Sequence, residues 1–272
     1  MDEQENSQRQ YDPDGRPVQP SLLQKAKKFV APVGIAFLIF FKYLAKLKFL
    51  LPVLKTGGTM ILSISAYAMF WGWQFAVGFV LLIFVHECGH LFAAKRIGLK
   101  VGAPVFIPFM GAVIALKEAP KNAWIEAQVG IGGPILGTVG AVVCEWIYLA
   151  TGNLMFRGLA YTGFFLNLFN LAPLGFLDGG RIVTALSPWL WLVGFAILVV
   201  MFISNFNVLL LFILIFSVPR LFSLFRKKSE EELRYFEVTP AQRWTMGTMY
   251  FGLIVLLWLG MKITHIPREA FQ

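Results

Sequence analysis

Residues 56–90 decide how this chain folds, and they read TGGTMILSISAYAMFWGWQFAVGFVLLIFVHECGH. The thirty residues between Lys55 and His86 carry no charge. A helix needs about 20 residues to cross the hydrocarbon core of a bilayer, so this run is too long for one span and too short for two. The second span must therefore extend past His86, which predicts that the HECGH stretch lies within the membrane.

The composition excludes a soluble globular protein. Of 272 residues, 57% are hydrophobic and only 14% are charged, whereas soluble domains have about 45–50% apolar and about 25% charged residues. The net charge of +9 is divided among short clusters between apolar runs, as in the cytoplasmic loops of membrane proteins, so no nucleic-acid partner is expected. The prediction is an all-α polytopic membrane protein with about six or seven transmembrane helices and a small membrane-embedded β-hairpin.

Apolar runs and charge clusters divide the chain into segments. Spans are predicted near 57–73, 75–95, 127–150, 158–178, 188–204, 205–222 and 244–262. The predicted segments are a disordered cytosolic tail (1–24), an amphipathic membrane-surface segment (25–56), a catalytic intramembrane core (57–181), a helical hairpin of two spans (182–222), a cytosolic loop (223–243) and a C-terminal span with its tail (244–272). Lysines within 25–56 favour the membrane surface because they are costly in hydrocarbon, and a true span there is left open.

Residues 101–116, VGAPVFIPFMGAVIAL, are apolar but too short and too broken by proline and glycine to cross as a helix. Their Val, Ile and Phe content favours strands, which predicts a β-hairpin that dips into the bilayer. Such backbone is tolerated within a membrane only when it packs on protein or lines a wet cavity. A surface loop is the alternative.

The positive charges predict the orientation. If the N-terminus is cytosolic, 21 of the 24 Lys and Arg residues lie on the cytosolic side, and only Arg157, Lys262 and Arg268 lie outside. Cytoplasmic loops carry this excess in membrane proteins. We therefore expect an integral membrane protein with a cytosolic N-terminus.

His86-Glu87-Cys88-Gly89-His90 has the pattern H-E-x-x-H. Residues four apart share one face of a helix, so His86 and His90 can bind one Zn²⁺ with two imidazoles. Glu87 can then act as general base toward the attacking water. Two stacked core histidines are the structural alternative, but ionisable residues inside a membrane are costly and are therefore usually functional.

A catalytic zinc site needs a third protein ligand and an open fourth position. Besides Glu87, the predicted spans contain only two acids, Glu145 and Asp178. In the predicted topology Asp178 lies at the cytosolic end of its span, as the two histidines do, whereas Glu145 lies near the opposite end. Asp178 is therefore the favoured third ligand, and Glu145 is the alternative.

The HECGH motif followed by N-x-x-P-x-x-x-x-D-G, with Asn170 first and Asp178 at the aspartate, resembles the site-2 protease family of intramembrane zinc metalloproteases. The resemblance covers roughly residues 57–181. It implies that His86, His90 and Asp178 hold zinc and that Glu87 is the catalytic base. Asn170 is implied to position the substrate or to stabilise the oxyanion.

Two further stretches extend the resemblance. Residues 104–116 resemble the family's membrane-embedded hairpin, which implies that Phe106, Ile107, Gly111 and Ala112 bind an unwound substrate as an added strand. Residues 132–137, GGPILG, resemble the family's G-P motif, although many relatives carry Asn where this chain has Gly137.

The sequence therefore favours an enzyme that hydrolyses peptide bonds in or near transmembrane segments during regulated intramembrane proteolysis. A zinc-binding transporter is the alternative, although no second zinc cluster is visible, and a non-catalytic scaffold is disfavoured by the intact Glu87. The expected partners are a membrane-anchored protein substrate and the lipid bilayer, and a homo-oligomer is left open. The expected location is a prokaryotic plasma (inner) membrane.

Overall fold

The computed structural model describes residues 52–109, 111–115, 118–174 and 177–266. The chain divides into two compact units, residues 1–54 and 55–272, and nearly all of the described residues lie in the second. The predicted tail (1–24), residues 25–51 of the predicted surface segment and the last residues, 267–272, lie outside the described residues.

The described chain is mostly helical, with one small sheet. The helices are α1 (Pro52–Trp71), α2 (Trp73–Arg96), α3 (Ala123–Thr151), α4 (Leu154–Asn170), α5 (Asp178–Leu186), α6 (Leu190–Ser204), α7 (Val208–Phe225), α8 (Glu230–Tyr235) and α9 (Pro240–Thr264), and the strands are β1 (Val105–Ile107) and β2 (Gly111–Val113). The mainly helical fold and the two-stranded sheet confirm the corresponding predictions.

Four of these helices, α1, α2, α3 and α9, are long and apolar enough to cross a membrane, and α6 and α7 are shorter apolar helices. The break predicted near residue 72 lies between α1 and α2, where Gly72 has φ 77°. The break predicted at residues 204–207 separates α6 from α7. The chain is thus an integral membrane protein, while six or seven spans and the segment boundaries stay predictions.

Helix α3 is central and packs against α2, α4, α5 and α9. It begins at an N-cap, Asn122, whose side chain accepts a hydrogen bond from the backbone N–H of Ile125. It ends at Gly152, whose left-handed conformation (φ 70°) lets its N–H donate to the Tyr148 carbonyl. These caps satisfy backbone groups that a helix end leaves without partners.

The contact between α2 and α3 depends on glycine. A Cβ on Gly89 would overlap the backbone carbonyl of Gly132, and a Cβ on Gly132 would lie 2.7 Å from the Gly89 oxygen. Small residues at such positions let two helix backbones approach closely inside a membrane. This approach brings the HECGH face of α2 against α3.

The hairpin is antiparallel, and Phe106 pairs with Ala112 in its register. Phe109 lies in the turn of the hairpin, and its backbone N–H donates to the Tyr67 hydroxyl of α1 at 3.0 Å. The Phe106 ring is buried, with its centroid 6.3 Å from that of Phe84 on α2. The hairpin therefore packs on α1 and α2, while its depth in the bilayer stays a prediction.

We predict that Gly89→Ala lowers the melting temperature of the metal-free protein in detergent. Alanine normally favours a helix by about 1 kcal/mol over glycine, but overpacking a tight contact costs about 1–3 kcal/mol. The control is Gly252→Ala in α9, where an added Cβ has no neighbour within 4 Å and the melting temperature should stay or rise. Equal melting temperatures for the two variants would contradict the tight α2–α3 contact.

Candidate metal centre

The two motif histidines face each other on α2. His86 and His90 are buried, and their Nε2 atoms lie 3.1 Å apart. Their four-residue spacing places both imidazoles on one side of the helix. They are therefore arranged to bind one metal ion together.

Asp178 joins them from another part of the chain. Helix α4 ends at Asn170, three residues before Pro173, and α5 begins at Asp178. The buried Asp178 Oδ2 lies 3.1 Å from His86 Nε2 and 3.2 Å from His90 Nε2. The three residues that the sequence predicts as metal ligands are thus brought together.

The hydrogen-bond partners of the imidazoles show which nitrogen carries the proton. His90 Nδ1 lies 2.8 Å from the Val129 carbonyl oxygen, which can only accept, so Nδ1 donates. His86 Nδ1 lies 2.8 Å from Asn167 Oδ1, and Asn167 Nδ2 donates to the Gly163 carbonyl at 2.7 Å, so the amide presents its oxygen to His86. In neutral imidazoles both Nε2 atoms therefore carry lone pairs.

With both imidazoles neutral, three acceptor atoms, two imidazole nitrogens and one carboxylate oxygen, converge with no proton between them. Zinc bonds to such atoms at about 2.0–2.2 Å with tetrahedral geometry, which separates neighbouring ligand atoms by about 3.4 Å. The observed separations of 3.1 and 3.2 Å fit this arrangement closely. His86, His90 and Asp178 also form the metal-binding cluster found among the described residues, and their donor set suits a zinc ion.

Helix α3 leaves room for the ligands because residue 133 is glycine. A Cβ at Gly133 would lie 2.8 Å from His86 Nε2 and would overlap the His90 ring. Such contacts are closer than real side-chain carbons tolerate. Glycine at residue 133 is therefore required by the side chains of His86 and His90.

Glu87 follows His86 and is 8% exposed. Among the residues that the structure describes, its carboxylate has no hydrogen-bond or ion-pair partner. Its oxygens are therefore available to accept a proton. Its role as general base stays a prediction.

Among the described residues, neither Asn170 nor Glu145 forms a hydrogen bond to the three ligands. Asn170 ends α4, and in the described part of the chain its amide makes no hydrogen bond to the cluster. Glu145 is not part of the metal cluster, and its buried Oε2 has no hydrogen-bond partner among the described residues.

Sequence reasoning missed Asn167, the amide that contacts His86. It lies one helical turn before Asn170 and is 1% exposed. A Cβ at Gly137 would lie 2.8 Å from Asn167 Nδ2, so the small residue there makes room for the amide. A buried amide in an apolar helix was a signal for such a role, because a buried polar group needs a partner.

The structure thus has an apolar helical bundle in which two histidines on one helix face meet a distant aspartate. Together they define a membrane protein with a centre that could hold a metal ion. Residues 74–159 match the model of peptidase family M50. The chain is therefore similar to this family, the site-2 protease family, which its motifs also resemble. The matched residues include HECGH and end before Asp178.

Two curated relatives carry related sequences. The zinc metalloprotease MJ0392 of Methanocaldococcus jannaschii is 35% identical over 133 residues, which cover 46% of this chain and 37% of that protein. The probable zinc metalloprotease EGY2, chloroplastic, of Arabidopsis thaliana is 26% identical over 153 residues, which cover 40% of this chain and 27% of that protein. The chain thus matches about a third of the length of these relatives.

We predict that Asn167→Ala raises the dissociation constant for zinc about 10–100-fold, the usual cost of losing a group that orients a metal-bound histidine. The reason is that His86 Nδ1 loses its acceptor, so its tautomer and ring orientation are no longer fixed. Competition with a chromophoric chelator measures the constant. The control, Asn170→Ala, removes the same amide one turn away and should bind zinc as the wild type does. Unchanged affinity in Asn167→Ala would contradict this role.

Proposed function

We propose that this chain is a zinc metalloprotease that hydrolyses peptide bonds in or near the transmembrane segments of membrane-anchored proteins, as in regulated intramembrane proteolysis. The observation that carries the proposal is the convergence of His86, His90 and Asp178 inside an apolar helical bundle, next to Glu87, whose carboxylate has no partner among the described residues. The similarity to a zinc metalloprotease and to a probable zinc metalloprotease gives further support.

Zinc held by these three side chains would supply Lewis acidity toward the scissile carbonyl and an open fourth coordination position. The carboxylate of Glu87 accepts a proton from the attacking water and later returns it to the leaving amine. The tautomers set by Val129 and Asn167 keep both Nε2 atoms available as ligands throughout. Asn170 is proposed to donate its amide to the substrate oxygen on which charge develops.

The hydrogen bonds of the hairpin support β2 as the edge on which an extended substrate docks. The outer edge of β1 is covered by α1, because Thr59 Oγ1 accepts from the N–H of Phe106 at 3.1 Å and Thr56 Oγ1 donates to the Pro104 carbonyl at 2.8 Å. Phe106 and Ala112 are opposite each other in the register, so the N–H of Ala112 also points away from the hairpin.

Within the described residues, no partner outside the sheet bonds to the backbone of Ala112. An unwound substrate would therefore add as a strand along β2, next to Gly111 and Ala112. Ile107, which is 38% exposed, offers a side-chain contact. The buried Phe106 would support the hairpin from its α2 side.

The setting of this activity is also proposed. The lysine and arginine distribution supports a cytosolic N-terminus, and the proposed membrane is a prokaryotic plasma membrane. The proposed substrate is a membrane-anchored protein in the same bilayer.

Glu87→Gln tests the reaction. The amide keeps the shape of the side chain but cannot accept the proton, so cleavage of a model transmembrane substrate should fall about 10²–10⁴-fold. Zinc content, measured by atomic emission on the purified protein, should stay near one ion per chain. Wild-type cleavage by this variant would overturn the assignment of the base.

Two companion variants complete that experiment. Asp178→Ala should lower both zinc content and cleavage, because it removes one of three ligands. Glu145→Gln makes the same chemical change as Glu87→Gln in an acid that lies outside the metal cluster, and it should alter neither quantity. Zinc binding by a wild-type protein that cleaves no transmembrane substrate would favour a transporter or scaffold instead.

Ala112→Pro tests the docking edge. Proline removes the outward N–H of β2 and leaves the hairpin bonds of its neighbours in place, so kcat/KM should fall at least tenfold while zinc content is unchanged. The control is Ala112→Val, which keeps the N–H and suits a strand. If both variants cleave at the wild-type rate, the substrate docks elsewhere.

A further inference from the structure

Residues on both sides of Asp178 accept hydrogen bonds from side chains of other helices. The Tyr250 hydroxyl of α9 donates to the Leu171 carbonyl, just after α4, at 2.6 Å. The Trp191 indole N–H of α6 donates to the Gly180 carbonyl, two residues after Asp178, at 2.9 Å. Tyr250 and Trp191 are only 3% and 4% exposed.

The first turn of α5 is tightly packed, and Trp191 gives it a hydrogen bond from a different helix. Asp178 is followed by Gly179 and Gly180, and a Cβ on Gly179 would overlap the Leu171 carbonyl oxygen. The Gly180 carbonyl also accepts from the Thr184 hydroxyl at 2.8 Å, but Thr184 lies on α5 itself. Trp191 is therefore the donor that ties this turn to a different helix.

Trp191 is in turn held by a charged cluster, which consists of Glu126 on α3, Arg220 on α7 and Tyr235 on α8. The Arg220 guanidinium lies 4.8 Å from the centroid of the Trp191 ring, within the range of a cation–π interaction. Arg220 Nη2 bonds to the Glu126 carboxylate at 3.1 and 3.4 Å.

Tyr235 closes the cluster. Its hydroxyl donates to Glu126 Oε2 at 2.7 Å. Burial, and then the neighbouring Glu126 carboxylate, raise the pKa of Tyr235, so the phenol keeps its proton and continues to donate at physiological pH. The Glu126 and Arg220 side chains are 15% and 27% exposed, and removing either partner would leave the other poorly compensated.

We propose that Trp191 is a positioning residue for the metal ligand Asp178, and that the cluster of Glu126, Arg220 and Tyr235 sets the position of Trp191. The metal centre is then coupled to α8, an element that contributes none of its ligands. The proposal rests on the metal site described above, but its test does not depend on proteolysis, because its readouts are metal binding and the spectrum of bound cobalt.

Trp191→Phe carries the main test. It keeps an aromatic ring under Arg220 but removes the N–H that holds Gly180. We expect about tenfold weaker zinc binding, the lower end of the range for outer-shell substitutions, and a changed visible absorption spectrum of the Co²⁺-substituted protein. The spectrum reports ligand geometry, which a general loss of stability would not alter in the folded fraction.

The matched control is Trp189→Phe. Trp189 lies two residues away, is 57% exposed and packs its ring on Phe225. The Trp189→Phe protein should bind zinc with the affinity of the wild type and give the same cobalt spectrum. If Trp191→Phe behaves like Trp189→Phe in both measurements, the proposal is overturned.

Tyr235→Phe tests the connection to α8, since it removes only the hydroxyl that bonds to Glu126. Tyr235→Phe alone should weaken zinc binding a few-fold. In the double variant with Trp191→Phe it should cause no further loss of zinc affinity, because both changes act through the same indole. A wild-type zinc affinity, or a fully additive effect in the double variant, would overturn the coupling.

If Trp191→Phe does not fold, Arg220→Lys replaces it as the decisive variant, because lysine keeps the charge but not the planar stacking on Trp191. Weaker zinc binding with an altered cobalt spectrum supports the proposal, and wild-type values overturn it. A wild-type protein that binds zinc but cleaves nothing would contradict the proposed protease function and leave this test intact.

Discussion

Three buried acceptor atoms that point at one another are the constraint on which the rest of this structure depends. The Nε2 atoms of His86 and His90 and the Oδ2 atom of Asp178 lie 3.1–3.2 Å apart. In an apolar interior this arrangement is unfavourable unless a cation joins them, because each atom has lost water without gaining a donor. The surrounding helices are arranged to maintain it, through the two Nδ1 hydrogen bonds and the glycine face of α3.

The chemistry of the site could be read from the sequence, because its signals are local. His86, Glu87 and His90 lie within one and a half helical turns, and Asp178 is one of only two further acids in the predicted spans. The break between α1 and α2 and the hairpin of residues 105–113 were also predictable, since glycine, proline and β-branched residues mark them.

Other features depend on the relative rotation of distant helices, which spacing along the chain does not encode. Asn170 belongs to the motif, yet Asn167, one turn earlier, is the amide that contacts His86. Trp191 and the cluster of Glu126, Arg220 and Tyr235 come from four helices and share no pattern in the sequence. Only the packing of these helices against one another reveals them.

The coverage of β1 by Thr59 has a consequence for inhibitor chemistry. A ligand strand on β2 would use the N–H and C=O groups of alternate residues only, because successive backbone groups of a strand point in opposite directions. The remaining amides of such a peptide could be N-methylated without loss of a bond to β2. Methylation in that pattern would also stop the peptide from pairing with further copies of itself, so a hairpin with one open edge suits soluble, protease-resistant peptidomimetics.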